Sequence, residues 1–485
     1  MKKIENLHLP KITNLIKGIF FLFVWSLLAL AILARPVKFS QLAGLILYLA
    51  IFLVMFVIYL HKYYPHFLKK ERDLLLLGLI IVGQMGIAKL FMLTPFNLEY
   101  AIPVATSSML IAILINEHLS LFSTVFVSII IGSLISSEID FILLFIGSGM
   151  TGIYAASISK TYSNLSKAGF IIGLVNAAII LASGLFYDYS PAELSRGILL
   201  GIANGVFSSI LTIGLLPLFE NIFSKVSKFK LLELSDLNAP LLRELGLQAP
   251  GTYHHSMLVA SLAEQAALKI QANSLLARVA AYYHDIGKIT KADYFVENQT
   301  ERNRHEDLKP TLSASVLKAH VKEGVEKAKK NRLPSEIVDI ISQHHGSSLI
   351  AYFYHQAEET QDEKNPVNVN DFKYPGPRPQ TKEAAIIMLA DSVEAACRAL
   401  IKPTPRRIEE TVKKVINNKF IESELAECNL TLSDLTLIAD TFSRILTGAY
   451  HFRVEYPEKG KVNGNSDSQS AKKKEDRLKE GKKDS

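Results

Sequence analysis

The sequence predicts an all-α protein of two unlike halves, a polytopic helical membrane domain followed by an all-helical polar domain. Three observations carry that prediction. Apolar runs with few charges follow one another through the part of the chain before residue 224. After that point, apolar residues recur at helical spacing and β-type alternation is scarce. Histidines and aspartates share the apolar sides of several of those later helical segments. The mean hydropathy of +0.22 averages over this division.

Residues 1–17 are basic, and the apolar run 18–34 that follows ends at Arg35 without a small-residue cleavage site, so it reads as a retained anchor. Further candidate spans are 42–60, 74–93, 101–115, 119–135, 139–156, 169–186 and 198–219. Several approach the roughly 20 residues that cross a bilayer as a helix. Positive charge alternates along the connecting loops. Lys62, Lys69, Lys70 and Arg72 mark one loop, Lys160 and Lys167 another, and Lys225, Lys228 and Lys230 follow the last span. Loops 94–100, 136–138 and 187–193 are poor in it. Eight spans with both termini in the cytoplasm fit this alternation, and seven remain an option; Arg35 and Lys38 depart from the pattern.

The division of the chain that follows is 1–41, a basic N-terminus and first span; 42–223, the polytopic domain; 224–457, the polar domain; and 458–485, a basic tail expected to be disordered. Two cysteines, Cys397 and Cys428, with no CxxC, exclude a disulfide framework and suit a reducing compartment. The 53 Lys and Arg against 46 Asp and Glu give +7, yet many of these lysines flank apolar spans or crowd the tail. Membrane lipid accounts for them, and no nucleic-acid polymer is needed as partner.

In the polar domain, Pro334 suits the first turn of a helix with Gly346 as its stop, Pro405 opens another, and Thr431 to Asp434 resembles a capping box. Residues 357–380 read as a long polar, proline-rich loop. His255 precedes Leu258, Val259 and Leu262, and His284 follows Ala277, Ala280 and Ala281. His320 follows Val316 and Leu317, His344 follows Ile337, Ile340 and Ile341, and Asp391 lies among Ile387, Met388 and Ala395. A single such histidine is more often a hydrogen-bonded core residue. A carboxylate in apolar company needs a counter-charge or a metal, and several inward groups together favour a metal. Imidazoles and carboxylates without thiolates suit iron, manganese or zinc. His344 and His345 point about 100° apart on a regular helix, so both reach one ion only if a cleft lies between their faces. His254, beside a candidate ligand, reads as a supporting or structural residue. His305, in a polar stretch, reads by default as a surface histidine, with substrate contact as the lesser reading. Lys288 stands where it can meet a phosphate, and a solvated lysine after a helix end is nearly as common.

The run Pro250-Gly251-Thr252-Tyr253-His254-His255-Ser256 is followed by Tyr282-Tyr283-His284-Asp285-Ile286-Gly287-Lys288 and Glu297-Asn298-Gln299. Gln343-His344-His345-Gly346, Tyr374-Pro375-Gly376-Pro377 and Leu389-Ala390-Asp391-Ser392-Val393-Glu394-Ala395 complete the set. Together they resemble the bacterial seven-transmembrane receptors with an intracellular HD hydrolase domain, those of cyclic-di-AMP phosphodiesterase type, over nearly all of residues 42–457. The resemblance implies an HD-domain metal phosphohydrolase in the inner membrane, its catalytic domain in the cytoplasm. It implies two divalent ions, Mn2+ or Fe2+ by preference, one held by His255, His284, Asp285 and Asp391. The other would be held by Asp285, His320, His344 and His345, with Asp285 shared. Asp285 and Lys288 are the expected catalytic pair, and Lys288, His305 and Arg378 the expected substrate contacts. The implied substrate is cyclic di-AMP, opened to linear 5′-pApA; a homodimer is compatible with the sequence. Another nucleotide, such as cyclic di-GMP or a mononucleotide, and a non-catalytic nucleotide receptor are the competing readings. Gly346-Ser347-Ser348 stands where the cyclic-di-GMP subgroup carries Gly-Tyr-Pro, which disfavours the first. Family members usually carry a large extracellular domain after the first span. Only residues 35–41 occupy that place here, so a signal is expected to enter through the spans, the lipid or the cytoplasmic side.

Overall fold

The computed structural model describes residues 39–64, 67, 71–96, 98–135, 139–299, 303–359 and 366–450. The expected first span, the 35–38 part of the short loop and the C-terminal tail lie outside them. Every named element among the described residues is helical; the β-structure there is one isolated bridge between Leu349 and Lys373.

The first part contains α1 (Phe39–Tyr63), α2 (Glu71–Met92), α3 (Val104–Leu114), α4 (Glu117–Ile135), α5 (Asp140–Ile158), α6 (Tyr162–Phe186) and α7 (Pro191–Phe223). Six of them, all but α3, are long and apolar enough to cross a membrane. Large apolar side chains such as Leu47, Val54, Leu90, Tyr154, Leu174 and Leu199 stand exposed on their outer faces, as lipid contact requires of a multi-pass membrane protein. Between helices the packing relies on small and polar residues, because lipid tails offer helix association no hydrophobic drive. A Cβ on Gly205 of α7 would lie 2.2 Å from the backbone nitrogen of Gly173 on α6, so this contact requires glycine. Ser108 and Thr124 hydroxyls lie 2.6 Å apart between α3 and α4, and Ser209 Oγ donates to the Leu165 carbonyl at 2.6 Å.

The expected span 101–115 is the exception. Only the 11 residues of α3 are α-helical, about 16 Å at 1.5 Å per residue, against a hydrocarbon core of about 30 Å. A 3-10 turn, Glu99–Ala101, and non-helical Ile102 and Pro103 precede it. Irregular backbone at this depth must be buried in protein and hydrogen-bonded. Asn204 of α7 meets that need: its Nδ2 donates to the Tyr100 carbonyl at 2.9 Å and the Ile102 carbonyl at 2.8 Å.

Polar contacts sort the loops onto two ends. At one end Tyr64 bonds Asn116 at 3.0 Å and Lys225 pairs with Asp73 at 2.7 Å. There too, Lys228 Nζ donates to the carbonyls of Ala156 at 2.8 Å and Ser157 at 2.6 Å. At the other end Arg196 bonds the Phe96 carbonyl, and Tyr189 bonds Asp140 at 2.9 Å. The lysine-bearing loops therefore share the end from which the polar part continues.

That part runs α8 (Lys228–Leu234), α9 (Pro240–Gln248), α10 (Pro250–Lys269), α11 (Ser274–Tyr283), α12 (Pro310–Lys330), α13 (Ser335–Gln343), α14 (Ala351–Glu359), α15 (Lys382–Arg398), α16 (Pro405–Ile421) and α17 (Leu432–Ala449). Thr404 caps α16 through Arg407 N, and Thr431 with Asp434 forms a full capping box on α17. Pro334 is the N-cap of α13 rather than a member of its first turn, and the helix ends at Gln343, before Gly346. The loop expected over 357–380 is shorter than that, because α14 enters its first residues and Val369–Phe372 forms a 3-10 turn. One apolar core runs through this part, centred on α15, where Ala384 to Ala390 are all fully buried.

Candidate metal centre

His284 and Asp285 stand where α11 stops: His284 is the C-cap, and Asp285 leads into a 3-10 segment, Ile286–Tyr294. That segment lies directly on α12. A Cβ on Gly287 would fall 1.9 Å from the His320 carbonyl, so glycine here lets the His284-Asp285 turn reach His320.

Three histidines are oriented in the same way. Nδ1 of His284 donates to the Ala281 carbonyl at 2.7 Å, Nδ1 of His344 to the Ile341 carbonyl at 2.7 Å, and Nδ1 of His320 to the Leu317 carbonyl. Each bond uses the carbonyl three residues earlier, available because the ring sits on or just past a helical turn. Because a carbonyl only accepts, the proton is fixed on Nδ1 and each Nε2 offers a lone pair. All three Nε2 atoms face Asp285: His284 lies 3.3 Å from Oδ2, and His320 and His344 lie 3.4 and 3.6 Å from Oδ1. His255, in the first turns of α10, puts Nε2 3.0 Å from Asp391 Oδ1 and Nδ1 2.6 Å from Glu394 Oε2. His345 Nδ1 lies 3.6 Å from Asp391 Oδ2. Both His344 and His345 reach the site because α13 has ended, and their ring centroids are 4.1 Å apart.

Two groups of four result, and in each the ligand atoms lie within 4.8 Å of one another. One is His255, His284, Asp285 and Asp391; the other is Asp285, His320, His344 and His345. Asp285 belongs to both. His284 Nε2 and Asp285 Oδ1 are buried without a hydrogen bond, and His320 Nε2 faces His344 Nε2 at 3.3 Å. Buried acceptors that converge in this way fit a divalent cation.

The electrostatics agree. Burial pushes His320 down to about 3 and His345 well below the usual imidazole range, so both rings are neutral lone-pair donors. Burial opposes ionisation of Asp285, but the charge facing it, the Lys288 ammonium at 2.7 Å, helps hold the carboxyl well below its usual range. At His255 the balance runs the other way: burial opposes the charged form, but the hydrogen bonds to Asp391 and Glu394 overcome it and raise the ring to about 9, so without a cation it carries a proton on both nitrogens.

A cleft of about 550 Å³ opens onto this cluster, lined among others by Lys288, Phe295, His305, Phe353, Tyr374 and Arg398. Lys288 Nζ lies 2.7 Å from Asp285 Oδ2 and 2.8 Å from Glu297 Oε1, so it is an anchored cation rather than a solvated one. His305 departs from its default reading as a surface residue. It is buried, with Nε2 donating to the Tyr294 carbonyl at 2.8 Å and its ring 4.9 Å from that of Phe353. His254 is exposed beside Tyr253, turned away from its neighbour His255 by the helix. Arg378 bonds Ser347 Oγ at 3.2 Å and does not line the cleft.

Sequence reasoning missed three participants. Glu394 holds His255, Tyr374 stacks on His345 at 4.2 Å between centroids, and Arg398 at the cleft lies 3.5 Å from Glu394 and 3.9 Å from Glu297. For two of them the one-turn spacings Asp391–Glu394 and Glu394–Arg398 were the available signal, since they set Asp391, Glu394 and Arg398 on one face of α15.

Residues 39–227 match the family model described as 7TM receptor with intracellular HD hydrolase, and residues 252–396 match the HD domain model. Cyclic-di-AMP phosphodiesterase PgpH of Bacillus subtilis (strain 168) is 37% identical over 434 residues, covering 87% of this chain and 60% of that protein. The protein of the same name from Listeria monocytogenes serotype 1/2a (strain 10403S) is 38% identical over 442 residues, with 87% and 60% covered. The chain thus spans about 60% of the length of these curated relatives. A crystal structure of the L. monocytogenes phosphodiesterase PgpH HD domain in complex with cyclic-di-AMP is 47% identical, covers 45% of this chain and all of that one, and has a TM-score of 0.42. With both models matched in order along one chain whose fold joins a membrane helix bundle to a His/Asp metal-binding cluster, the protein belongs to the family of 7TM receptors with an intracellular HD hydrolase.

Proposed function

We propose that this chain is a membrane-bound, di-metal phosphodiesterase that hydrolyses cyclic di-AMP to linear 5′-pApA and so controls the level of a second messenger. The observation that carries the reading is the sharing of Asp285 by two four-residue groups of buried, mutually facing ligand atoms. The substrate follows from the two curated relatives, both named cyclic-di-AMP phosphodiesterases.

Two divalent ions, Mn2+ or Fe2+ by preference, would be held by His255, His284, Asp285 and Asp391 and by Asp285, His320, His344 and His345. Ions in such a pair activate water and neutralise phosphoryl oxygens. The chain's own residues do the rest. Asp285 sets the spacing of the groups. The Nδ1 bonds of His284, His320 and His344 keep Nε2 unprotonated and aimed at Asp285. Lys288, fixed by Asp285 and Glu297, places a positive charge beside the reacting phosphate, and Arg398 is a second cation on the cleft wall. Phe295, Phe353 and Tyr374 offer aromatic faces on which adenine can stack. The net reaction adds water across one phosphodiester: the bond from phosphorus to the ribose 3′ oxygen breaks, that oxygen takes the proton, and a 5′-phosphate remains.

The alternating loop charges and their collection at one end of the bundle support a multi-pass protein of the bacterial inner membrane with residues 224–457 in the cytoplasm. Lipid is its surrounding partner, and a homodimer is compatible with this arrangement. The test is hydrolysis by the purified full chain of cyclic di-AMP, cyclic di-GMP and mononucleotides, each with Mn2+, Fe2+ or chelator. Metal-dependent release of pApA from cyclic di-AMP supports the reading; no turnover of it with any metal removes it.

A further inference from the structure

His344 and His345 sit on a turn, Gln343 to Ser348, that leaves α13 and has to keep both rings in the second ligand group. Glu424, in the connection between α16 and α17, reaches this turn from 77 residues away. It is 2% exposed and does not line the cleft. Its Oε2 accepts from Ser347 N at 2.9 Å, and its Oε1 accepts from Ser347 Oγ at 2.6 Å. A buried carboxylate is costly unless its oxygens are bonded, and here both accept from one residue of the turn.

The turn is shaped to receive it. Gly346 lies at φ 54°, and a Cβ there would run into Glu424 Oε2. Glycine therefore serves twice, by its backbone conformation and by the room it leaves for the carboxylate. Ser347 Oγ, having given its proton to Glu424, accepts from Arg378 Nε at 3.2 Å. A hydroxyl has one proton, so the direction of this relay is set, from Arg378 through Ser347 to Glu424.

Two more bonds close the frame around the turn. Lys419 Nζ on α16 donates to Ser348 Oγ at 2.6 Å, and Tyr374 N donates to the Ser348 carbonyl at 3.1 Å. Tyr374 also stacks on His345, so the segment that carries Arg378 meets the turn at its ring and at its backbone.

We propose, on the di-metal reading above, that Glu424 and Arg378 are positioning residues for the second ion. Through Ser347 they hold the His344-His345 turn so that both rings stay within reach of one cation. None of the four residues of the first group lies on this turn, so the effect falls on one ion of the two.

The test uses the purified full chain with Glu424→Gln and Arg378→Ala, each alone and in the His344→Ala background. Glu424→Gln keeps the shape and one accepting oxygen, but sets an amide NH2 against the other Ser347 donor. Chelator competition with Mn2+ should show one ion weakened by about tenfold and the other unchanged, with a smaller effect of the same kind in Arg378→Ala. In the His344→Ala chain, which keeps the first ion, neither change should alter that ion's affinity. Amide hydrogen exchange of the metal-free chain gives a readout independent of the ions: residues 343–348 should exchange faster in Glu424→Gln, and residues 281–288 should keep their rates. Arg378 is half-buried, so Arg378→Ala keeps the test open if Glu424→Gln unfolds the chain. Two ions held as in the unaltered chain, or both weakened alike, overturns the positioning role and leaves the di-metal reading standing. An unaltered chain that takes up fewer than two ions removes that reading and the positioning role with it.

Discussion

His255 Nδ1 lies 2.6 Å from Glu394 Oε2, although 139 residues separate them in the chain. The carboxylate orients the ring so that Nε2 meets Asp391 at 3.0 Å, and Tyr450 OH donates to the other Glu394 oxygen at 3.1 Å. A carboxylate behind a ligating imidazole fixes its tautomer and raises its basicity. Glu394→Gln should therefore weaken metal binding by about 10–100-fold while leaving the helical fold intact. Chelator-competition titration with circular dichroism on the same sample checks this; unchanged metal affinity would show that Glu394 is only a core contact.

Gly287 tests the packing that joins the His284-Asp285 turn to His320. Gly287→Ala places a methyl group against the His320 carbonyl and should cost about 1–3 kcal/mol, with metal content falling as the turn shifts. Thermal unfolding and metal analysis give the answer, and wild-type values for both would mean that the backbones separate at little cost.

The placement of the helices was largely legible in the sequence, because apolar length and period are local properties. So was the inward placement of His255, His284, His320, His344 and Asp391. What escaped depended on partners distant in the chain. His305 lies in a polar stretch with Arg304 and Glu306, and Tyr294 and Phe353, from other elements, pack against it. Residues 101–115 are apolar enough for a full span, but their helical part is short because Asn204 of α7 satisfies the backbone that precedes it. His344 and His345 presented a conflict on a regular helix, which the end of α13 at Gln343 removes.

Topology has a direct check, since Cys397 and Cys428 are both buried and leave a quiet background for labelling. Lys160 and Asp188 are exposed at opposite ends of the bundle. In intact cells an impermeant thiol reagent should label Asp188→Cys and spare Lys160→Cys. The reverse pattern would place the HD part outside.

His344 belongs to only one of the two ligand groups. His344→Ala should lower the metal content of the purified chain from about two ions to one and reduce turnover by several orders of magnitude, as loss of several kcal/mol of metal stabilisation implies. Retention of two ions would take His344 out of the ligand set.

Asp285 is the residue on which the account turns, because it alone is shared by both groups. Asp285→Asn keeps the shape of the side chain and removes the charge that holds two dications together. The decisive measurement is hydrolysis of cyclic di-AMP by the purified chain carrying Asp285→Asn or Asp285→Ala, with metal content determined on the same samples. The account predicts loss of at least one ion and of nearly all turnover in both variants, with substrate binding reduced far less. Turnover near that of the unaltered chain, with the metals gone, would contradict it.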